Sequence, residues 1–381
     1  MAQRVPINSY VVKVASRCNL DCTYCYEYNM GDDTWRSMPK FMSTELADVL
    51  ADRIAEHTSA YDLNDIYINL HGGEPLLYGL KRTEALIERV NAALDGRRIH
   101  WGIQTNGVLL TNDWVQLFER FGFHLGLSID GPAEVNDRWR IDHKGHGSFE
   151  AVMRGFEHLK SEAGRRIFAG CLTVVDPESD PIDVYNTVSS LDAPAIDFLL
   201  PHGNWSNLPP TKAADPAGLT PFADWLIPIF DQWFDNDSHN IQIRTFEEII
   251  EHLAGGPGRL ETVGLQPVNL IVVAVNGDIE GVDTLKSIPG EHVMGLNIMR
   301  DRFEDVLDHP KFALRQSGMH QLCDKCRACP LVNTCGGGYL PHRWSDEAGY
   351  HNPSVFCSDL TRLIRHIDRR VQRTIGVGAG A

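Results

Sequence analysis

Tyr10-Val11-Val12-Lys13-Val14-Ala15-Ser16-Arg17-Cys18-Asn19-Leu20-Asp21-Cys22-Thr23-Tyr24-Cys25-Tyr26 decides how the rest of the chain is read. Tyr10 to Val14 is an apolar run of strand type. It leads straight into three thiols, Cys18, Cys22 and Cys25, on one short loop. Iron–sulfur clusters are tied by cysteine thiolates and want four ligands. Three thiolates at this spacing can hold three corners of a cubane and leave its fourth iron open. An open iron can chelate a small molecule through an amino and a carboxylate group, and a reduced cluster can pass it one electron, which is the chemistry of S-adenosylmethionine cleavage. A zinc knuckle would want a fourth Cys or His nearby, and the nearest histidine, His57, lies beyond a helix signal. A disulfide loop suits secreted chains, whereas Met1-Ala-Gln-Arg-Val-Pro6 carries no apolar signal segment.

Beyond the cysteines, the periodicity alternates between strand and helix. Helices are expected over 43–57, 83–94, 112–120, 148–162, 182–190 and 221–234, and strands over 65–70, 98–104, 124–129, 168–175 and 195–200. Six strand-then-helix units require right-handed crossovers and a parallel sheet. The expected class is α/β: a partial (β/α)6 TIM barrel over 1–238, followed by a smaller α+β cysteine-rich domain over 239–381. Barrels of this kind carry chemistry on the loops after their strands, and those loops supply the next candidates.

The loop after the second strand reads His71-Gly72-Gly73-Glu74-Pro75. Its glycines let backbone approach a ligand closely and its carboxylate can accept from an ammonium group; taken alone, it is also an ordinary turn. The third loop, Gln104-Thr105-Asn106-Gly107, and the fourth, Ser128-Ile129-Asp130-Gly131-Pro132, offer polar groups for a ribose or a carboxylate, and both are equally good turn formers. Arg140 can pair bidentately with a carboxylate, or form a surface salt bridge. Cys171 lies inside a strand and reads as a buried thiol. Leu199-Leu200-Pro201-His202-Gly203-Asn204-Trp205 ends the sixth strand, making His202, Asn204 and Trp205 candidates for substrate contact. Residues 206–220, rich in Pro, Ala and Asp, read as a flexible surface connection.

The C-terminal third opens on the apolar run 270–275, and Asn276-Gly277 signals a hairpin returning through Asp278 to Asp283. Then come Cys323, Cys326, Cys329 and Cys335-Gly-Gly-Gly-Tyr339, with Cys357 opening a last helix. Cys326, Cys329, Cys335 and Cys357 make a full set for a closed cluster or for four-thiolate zinc; Cys323 is a fifth thiol without an assigned partner.

The totals narrow the partners. At 381 residues and 43% hydrophobic, the chain can fill two or three cores. A net charge of −16 opposes phosphate backbones and anionic lipid, so neither nucleic acid nor membrane is expected. No apolar stretch approaches the roughly 20 residues that span a bilayer. Nine cysteines in groups of three, one and five suit cofactor ligation in a reducing cytoplasm.

The C-x3-C-x2-C loop with Tyr24 before its last cysteine, followed one strand later by Gly-Gly-Glu-Pro, resembles the radical SAM superfamily. That resemblance implies a SAM-binding [4Fe-4S] cluster on Cys18, Cys22 and Cys25, methionine held by Gly72, Gly73 and Glu74, and further cofactor contacts from Thr105, Asn106, Ser128, Asp130 and Arg140. The second cysteine set resembles the SPASM extension and implies one auxiliary [4Fe-4S] cluster on Cys326, Cys329, Cys335 and Cys357, with Cys323 as a spare ligand. A complete SPASM domain holds two such clusters. Gly281-Val282-Asp283 and Tyr339 stand where the nearer one would find cysteines, so that cluster is expected to be missing. Trp35 to Pro39, Cys335 to Trp344 and Asn352 to Cys357 look like the FxsB-like branch of peptide maturases. That branch implies a ribosomally made precursor peptide as substrate, an aromatic ring joined to a β-carbon as product, Asp283 as base, the auxiliary cluster as electron sink, and a flavodoxin- or ferredoxin-like electron donor. Thioether formation, epimerisation or sulfatase formylglycine maturation would use the same radical start. A zinc-stabilised binding protein is the rival from another class.

Overall fold

The computed structural model describes residues 4–237 and 240–378. Ten strands follow in chain order: β1 (Ser9–Ala15), β2 (Asp65–Gly72), β3 (Arg98–Thr105), β4 (His124–Ser128), β5 (Phe168–Val174), β6 (Ala195–Leu199), β7 (Gln242–Ile243), β8 (Leu270–Val273), β9 (Asp278–Glu280) and β10 (Val293–Asn297). The expected division between residues 238 and 239 lies outside the described residues. The chain forms two compact units that interleave in sequence. One comprises Met1–Ile129, Asn136–Cys171 and Asn269–Leu314; the other comprises Asp130–Val135, Leu172–Val268 and Arg315–Ala381.

In the first unit the strand order is β10-β9-β8-β1-β2-β3-β4. β1 to β4 run parallel, with Val12 opposite Leu70, Ile68 opposite Trp101 and Gln104 opposite Gly126. Helices Thr44–Ala60, Leu80–Ala93 and Asn112–Arg120 make the crossovers. The first begins where the sequence places it, because the Ser43 side chain accepts from Leu46 N and caps the first turn. Val12, Ile68, Leu70, Ile103, Leu125 and Leu127 are buried and form the sheet's contribution to the core. The hairpin belongs here as well: β8 pairs parallel to β1, Val12 against Val273, and β9 returns antiparallel. Pairing with β1 is why residues 269–314 group with the N-terminal strands.

Two expectations need correction in this part of the chain. The helix expected over 148–162 is two helices, Phe149–Leu159 and Glu162–Ile167, because the Ser161 side chain accepts from Gly164 N and caps a new start. The hairpin strand β8 ends at Val273, two residues early, where Gly277 N closes a turn onto Ala274 O.

In the second unit β6 and β7 pair parallel, Ala195 against Gln242. Helices Pro181–Ser189, Pro221–Gln232, Arg244–Leu253 and Cys357–Gly378 provide most of its core. Phe222 meets Phe356 edge-on at 5.0 Å, and Phe230 meets Phe246 at 5.3 Å. The segment 206–220 is tied down rather than loose. Lys212 is wholly buried and donates to Asp359 at 2.5 Å, Ser358 at 2.9 Å and Leu219 O at 2.7 Å, while Asp359 accepts from Phe222 N and Ala223 N. A polar segment can thus be an anchor when one lysine reaches a complete set of acceptors.

Candidate functional site

The cysteine loop that follows β1 is held by backbone. Cys25 N donates to Cys22 O at 3.0 Å, Asn29 N donates to Cys25 O at 2.8 Å, and Asp21 N and Thr23 N donate to Ile141 O and Trp139 O. Two donors face the Cys18 sulfur: Leu20 N at 3.4 Å and Asn106 Nδ2 at 3.7 Å. All three cysteines are free thiols. Burial drives the Cys18 thiol pKa far up and that of Cys25 to about 12. Half-buried thiols that gather N–H donors yet resist ionisation suit a site where a metal supplies the missing positive charge. The donor set therefore fits three corners of an iron–sulfur cluster.

The β2 loop packs onto that same loop. Gly73 N donates to Ala15 O and Glu74 N to Arg17 O, each at 3.0 Å. A Cβ on Gly72 would lie 2.1 Å from Ala15 O, and one on Gly73 would lie 2.5 Å from Arg17 O. The glycines are thus required by the approach of one loop to the other. Glu74 is 1% exposed, and its carboxylate accepts from Leu76 N (2.9 Å), Thr105 Oγ1 (2.8 Å) and Asn106 N (2.9 Å). Burial raises its pKa to about 6 against the pull of those donors and of Arg140. Glu74 therefore works as a brace linking the second and third loops.

The remaining candidates sort by what they touch. Thr105 donates to Glu74 and accepts from Gly107 N. The Asn106 amide donates to Asn19 Oδ1 at 2.9 Å as well as to Cys18, steadying the cysteine loop. Ser128 Oγ accepts from Gln104 Nε2 at 2.8 Å. Arg140 is buried, and its Nη1 donates to the Tyr24 hydroxyl at 2.9 Å. Asp130 belongs to the second unit, where its buried carboxylate accepts from Val174 N at 3.0 Å.

Asp283 opens a 3-10 turn after β9 and lies in a buried ionic cluster of the first unit. It accepts from the Tyr26 hydroxyl at 2.8 Å, and His71 Nδ1 is 3.6 Å away. Around it Lys13 bonds Glu27 and reaches Glu280 at 3.4 Å, while Lys286 meets Glu27 at 3.1 Å and Glu280 at 3.5 Å. Burial pushes the Asp283 carboxyl up, but Lys13, His71, the Tyr26 hydroxyl and Lys286 outweigh it and hold the pKa below the ordinary value. Asp283 is thus an ionised acceptor one residue's reach from the cysteine loop. Sequence reasoning missed Tyr26, His71, Lys13 and Lys286 as its surroundings. A signal was present: a lysine inside the apolar strand β1 must find carboxylates.

In the second unit, Cys326, Cys329, Cys335 and Cys357 line one cavity with Val332 and Gly337. Gly336 turns the chain at φ 62°, and a Cβ there would lie 1.6 Å from Gly264 O. The buried Arg343 guanidinium donates to Gly338 O at 2.9 and 3.2 Å beside these thiols; burial lowers its pKa while Cys326 and Cys335 draw it up. Cys323 is not part of the cavity wall; it packs with Leu322 and Cys326 against Leu265 and Val332. Among the described residues no three His, Cys, Asp or Glu side chains are spaced to hold a single metal ion.

Asn204, the second candidate for substrate contact, has its side chain engaged locally. It is 3% exposed, and its Oδ1 accepts from Ser206 N and Asn207 N, closing its own turn. His202 packs 6.0 Å from His342 and 6.4 Å from Tyr339, ring to ring. Trp205 Nε1 donates to Pro353 O at 2.7 Å, leaving the ring on a cavity wall described below.

The model of the Radical SAM superfamily matches residues 12–187. Residues 12–187 are thus similar to that superfamily. The chain is 26% identical over 379 residues to the serine-type anaerobic sulfatase-maturating enzyme of Bacteroides thetaiotaomicron, covering 95% of this chain and 89% of that one. It is 29% identical over 363 residues to the cysteine-type anaerobic sulfatase-maturating enzyme of Clostridium novyi, covering 92% and 93%. A solved structure of native anSMEcpe with bound AdoMet superposes with a TM-score of 0.79 at 22% identity, over 98% of this chain and 100% of that one. A radical SAM α/β fold with a large parallel sheet, as expected from the sequence, is therefore the fold of this chain. Among the described residues no helix is long and apolar enough to cross a membrane.

Proposed function

We propose that this radical SAM enzyme oxidises a serine or cysteine side chain of a peptide or protein substrate, in the manner named for its sulfatase-maturating relatives. The observation that carries the reading is the bond from Tyr26, next to Cys25, to the buried Asp283 carboxylate at 2.8 Å. Cys18, Cys22 and Cys25 would hold a [4Fe-4S] cluster, which with S-adenosylmethionine would supply the radical chemistry that removes one hydrogen atom from the substrate carbon. The oxidation then still requires loss of one proton and one electron.

Asp283 accepts the proton, because its neighbours keep it ionised and aimed. The Tyr26 hydroxyl fixes the orientation of its oxygen, and the His71 ring lies 3.6 Å from it as a charge neighbour. Glu74 and Asn106 hold the loops that present the thiols. Cys326, Cys329, Cys335 and Cys357 would hold an auxiliary [4Fe-4S] cluster able to accept the electron.

Aryl crosslinking to a β-carbon uses the same hydrogen atom, proton and electron. Near full-length similarity to sulfatase-maturating enzymes favours side-chain oxidation over it. Anaerobic turnover of serine and cysteine peptides of sulfatase type, beside a precursor peptide carrying an aromatic motif, separates them. The expected product is an aldehyde that a hydrazide reagent captures. A product that lost two hydrogens, resists the hydrazide and carries a ring-to-carbon bond would transfer the assignment to crosslinking.

A further inference from the structure

Helix Cys357–Gly378 presents Ser358, Arg362, Arg365 and Arg369 at spacings of four, three and four, one face of a helix. With Lys325 and Trp205 they line a cavity of about 510 Å³, and no carboxylate is among its lining residues. Arg365, Arg369 and Lys325 are exposed; Arg362 is engaged with Asp224 and Thr220. In a chain of net charge −16 this is a concave cationic surface against the general field. The same concavity shares Lys325, Pro353, Cys357 and Thr361 with the four-cysteine cavity. One wall therefore separates a basic groove from the proposed electron acceptor.

We propose that this groove is the docking surface for an acidic one-electron carrier protein of flavodoxin or ferredoxin type. The inference rests on the auxiliary-cluster reading above. Opposite charge favours approach of such a carrier, Trp205, Pro353 and Val355 give the groove an apolar floor, and Cys357 places the exchange point at its edge. The electron account closes over a turnover: one electron enters to cleave S-adenosylmethionine, the substrate gives up a hydrogen atom, a proton and one electron, and the docked oxidised carrier takes that electron, its reduced form being the donor for the next cleavage.

The test titrates anaerobically purified full-length enzyme with an oxidised acidic flavodoxin at low and high salt. Wild type is compared with the double variant Arg365→Glu/Arg369→Glu, its milder form Arg365→Gln/Arg369→Gln, and the remote control Arg154→Glu. Iron is counted in every sample, which also reports folding. The expected result is a loss of affinity of about tenfold or more for the double variant at low salt, a smaller loss for the glutamine form, salt-weakened binding of wild type, and a control within about twofold. Binding by the double variant within about twofold of wild type overturns the proposal. So does a double variant that weakens binding of an acidic substrate peptide while leaving flavodoxin untouched, which gives the groove to the peptide. An iron count of about four per chain in wild type, where two cubanes need about eight, removes the auxiliary cluster and with it the carrier's purpose; the titration shows separately whether the docking surface stands.

Discussion

The two cysteine sites differ in what completes them. The first has three thiols on one loop and is finished by neighbours that are not cysteines: Asn106 on Cys18, Gly73 and Glu74 against the loop backbone, and Tyr26 leading to Asp283. The second has four thiols around one cavity and is finished by close backbone packing, Gly336 pressed on Gly264, with the Arg343 side chain tied to Gly338 O. An incomplete set surrounded by acid–base groups suits a site that meets substrate. A complete set closed by backbone suits one that only stores charge.

Alanine replacement of each set tests that contrast with the largest expected effect. Cys18→Ala/Cys22→Ala/Cys25→Ala should abolish both 5′-deoxyadenosine and product. Cys326→Ala/Cys335→Ala should lower the iron count by about four and stop product while 5′-deoxyadenosine still forms. Loss of cleavage in both variants, measured by chromatography of the nucleoside, would erase the distinction.

Asp283→Asn comes next. It keeps shape and removes the acceptor, so product formation should fall by about 10²–10⁴ while 5′-deoxyadenosine formation persists. Unchanged product would take Asp283 out of the reaction and leave its cluster of charges a structural one.

The glycines sharpen the contrast at the level of stability. Ala at Gly336 meets Gly264 O and a positive φ together, and Ala at Gly73 meets the Arg17 carbonyl. Each should cost about 1–3 kcal/mol, but with different iron loss: Gly336→Ala from the second site, Gly73→Ala from the first. Equal loss from both sites would mean that the variants report general unfolding.

Local chemistry explains what was legible. Helix Asn112–Arg120 and the start of the helix at Ser43 follow from capping and periodicity, and the strand-end loops were found because glycines and cysteines punctuate them. Long-range pairing explains what was not. Nothing near residue 270 says that β8 will lie beside β1, so the surroundings of Asp283 were invisible although Lys13 and His71 were in plain view. Lys212 reads as part of a loose linker because two of its acceptors, Ser358 and Asp359, lie 146 and 147 residues away. The glycines of the second loop read as room for a ligand, and the close approach of the first loop to them is the part that their sequence does not announce.

His71→Gln is the finest probe of the first site. His71 is one of four neighbours that hold the Asp283 carboxyl below its ordinary value, and the other three, Lys13, Tyr26 and Lys286, survive the exchange. A base with a depressed pKa is ionised at every pH above that value, so in wild type Asp283 sets no acid limb near neutrality. Removing His71 moves the carboxyl back toward the ordinary range. Product formation at pH 7 should therefore stay within about twofold of wild type, with only the acid side of the pH–rate profile displaced to higher pH. A fall at pH 7 as large as that of Asp283→Asn would make His71 the group that takes the proton, and Asp283 its support.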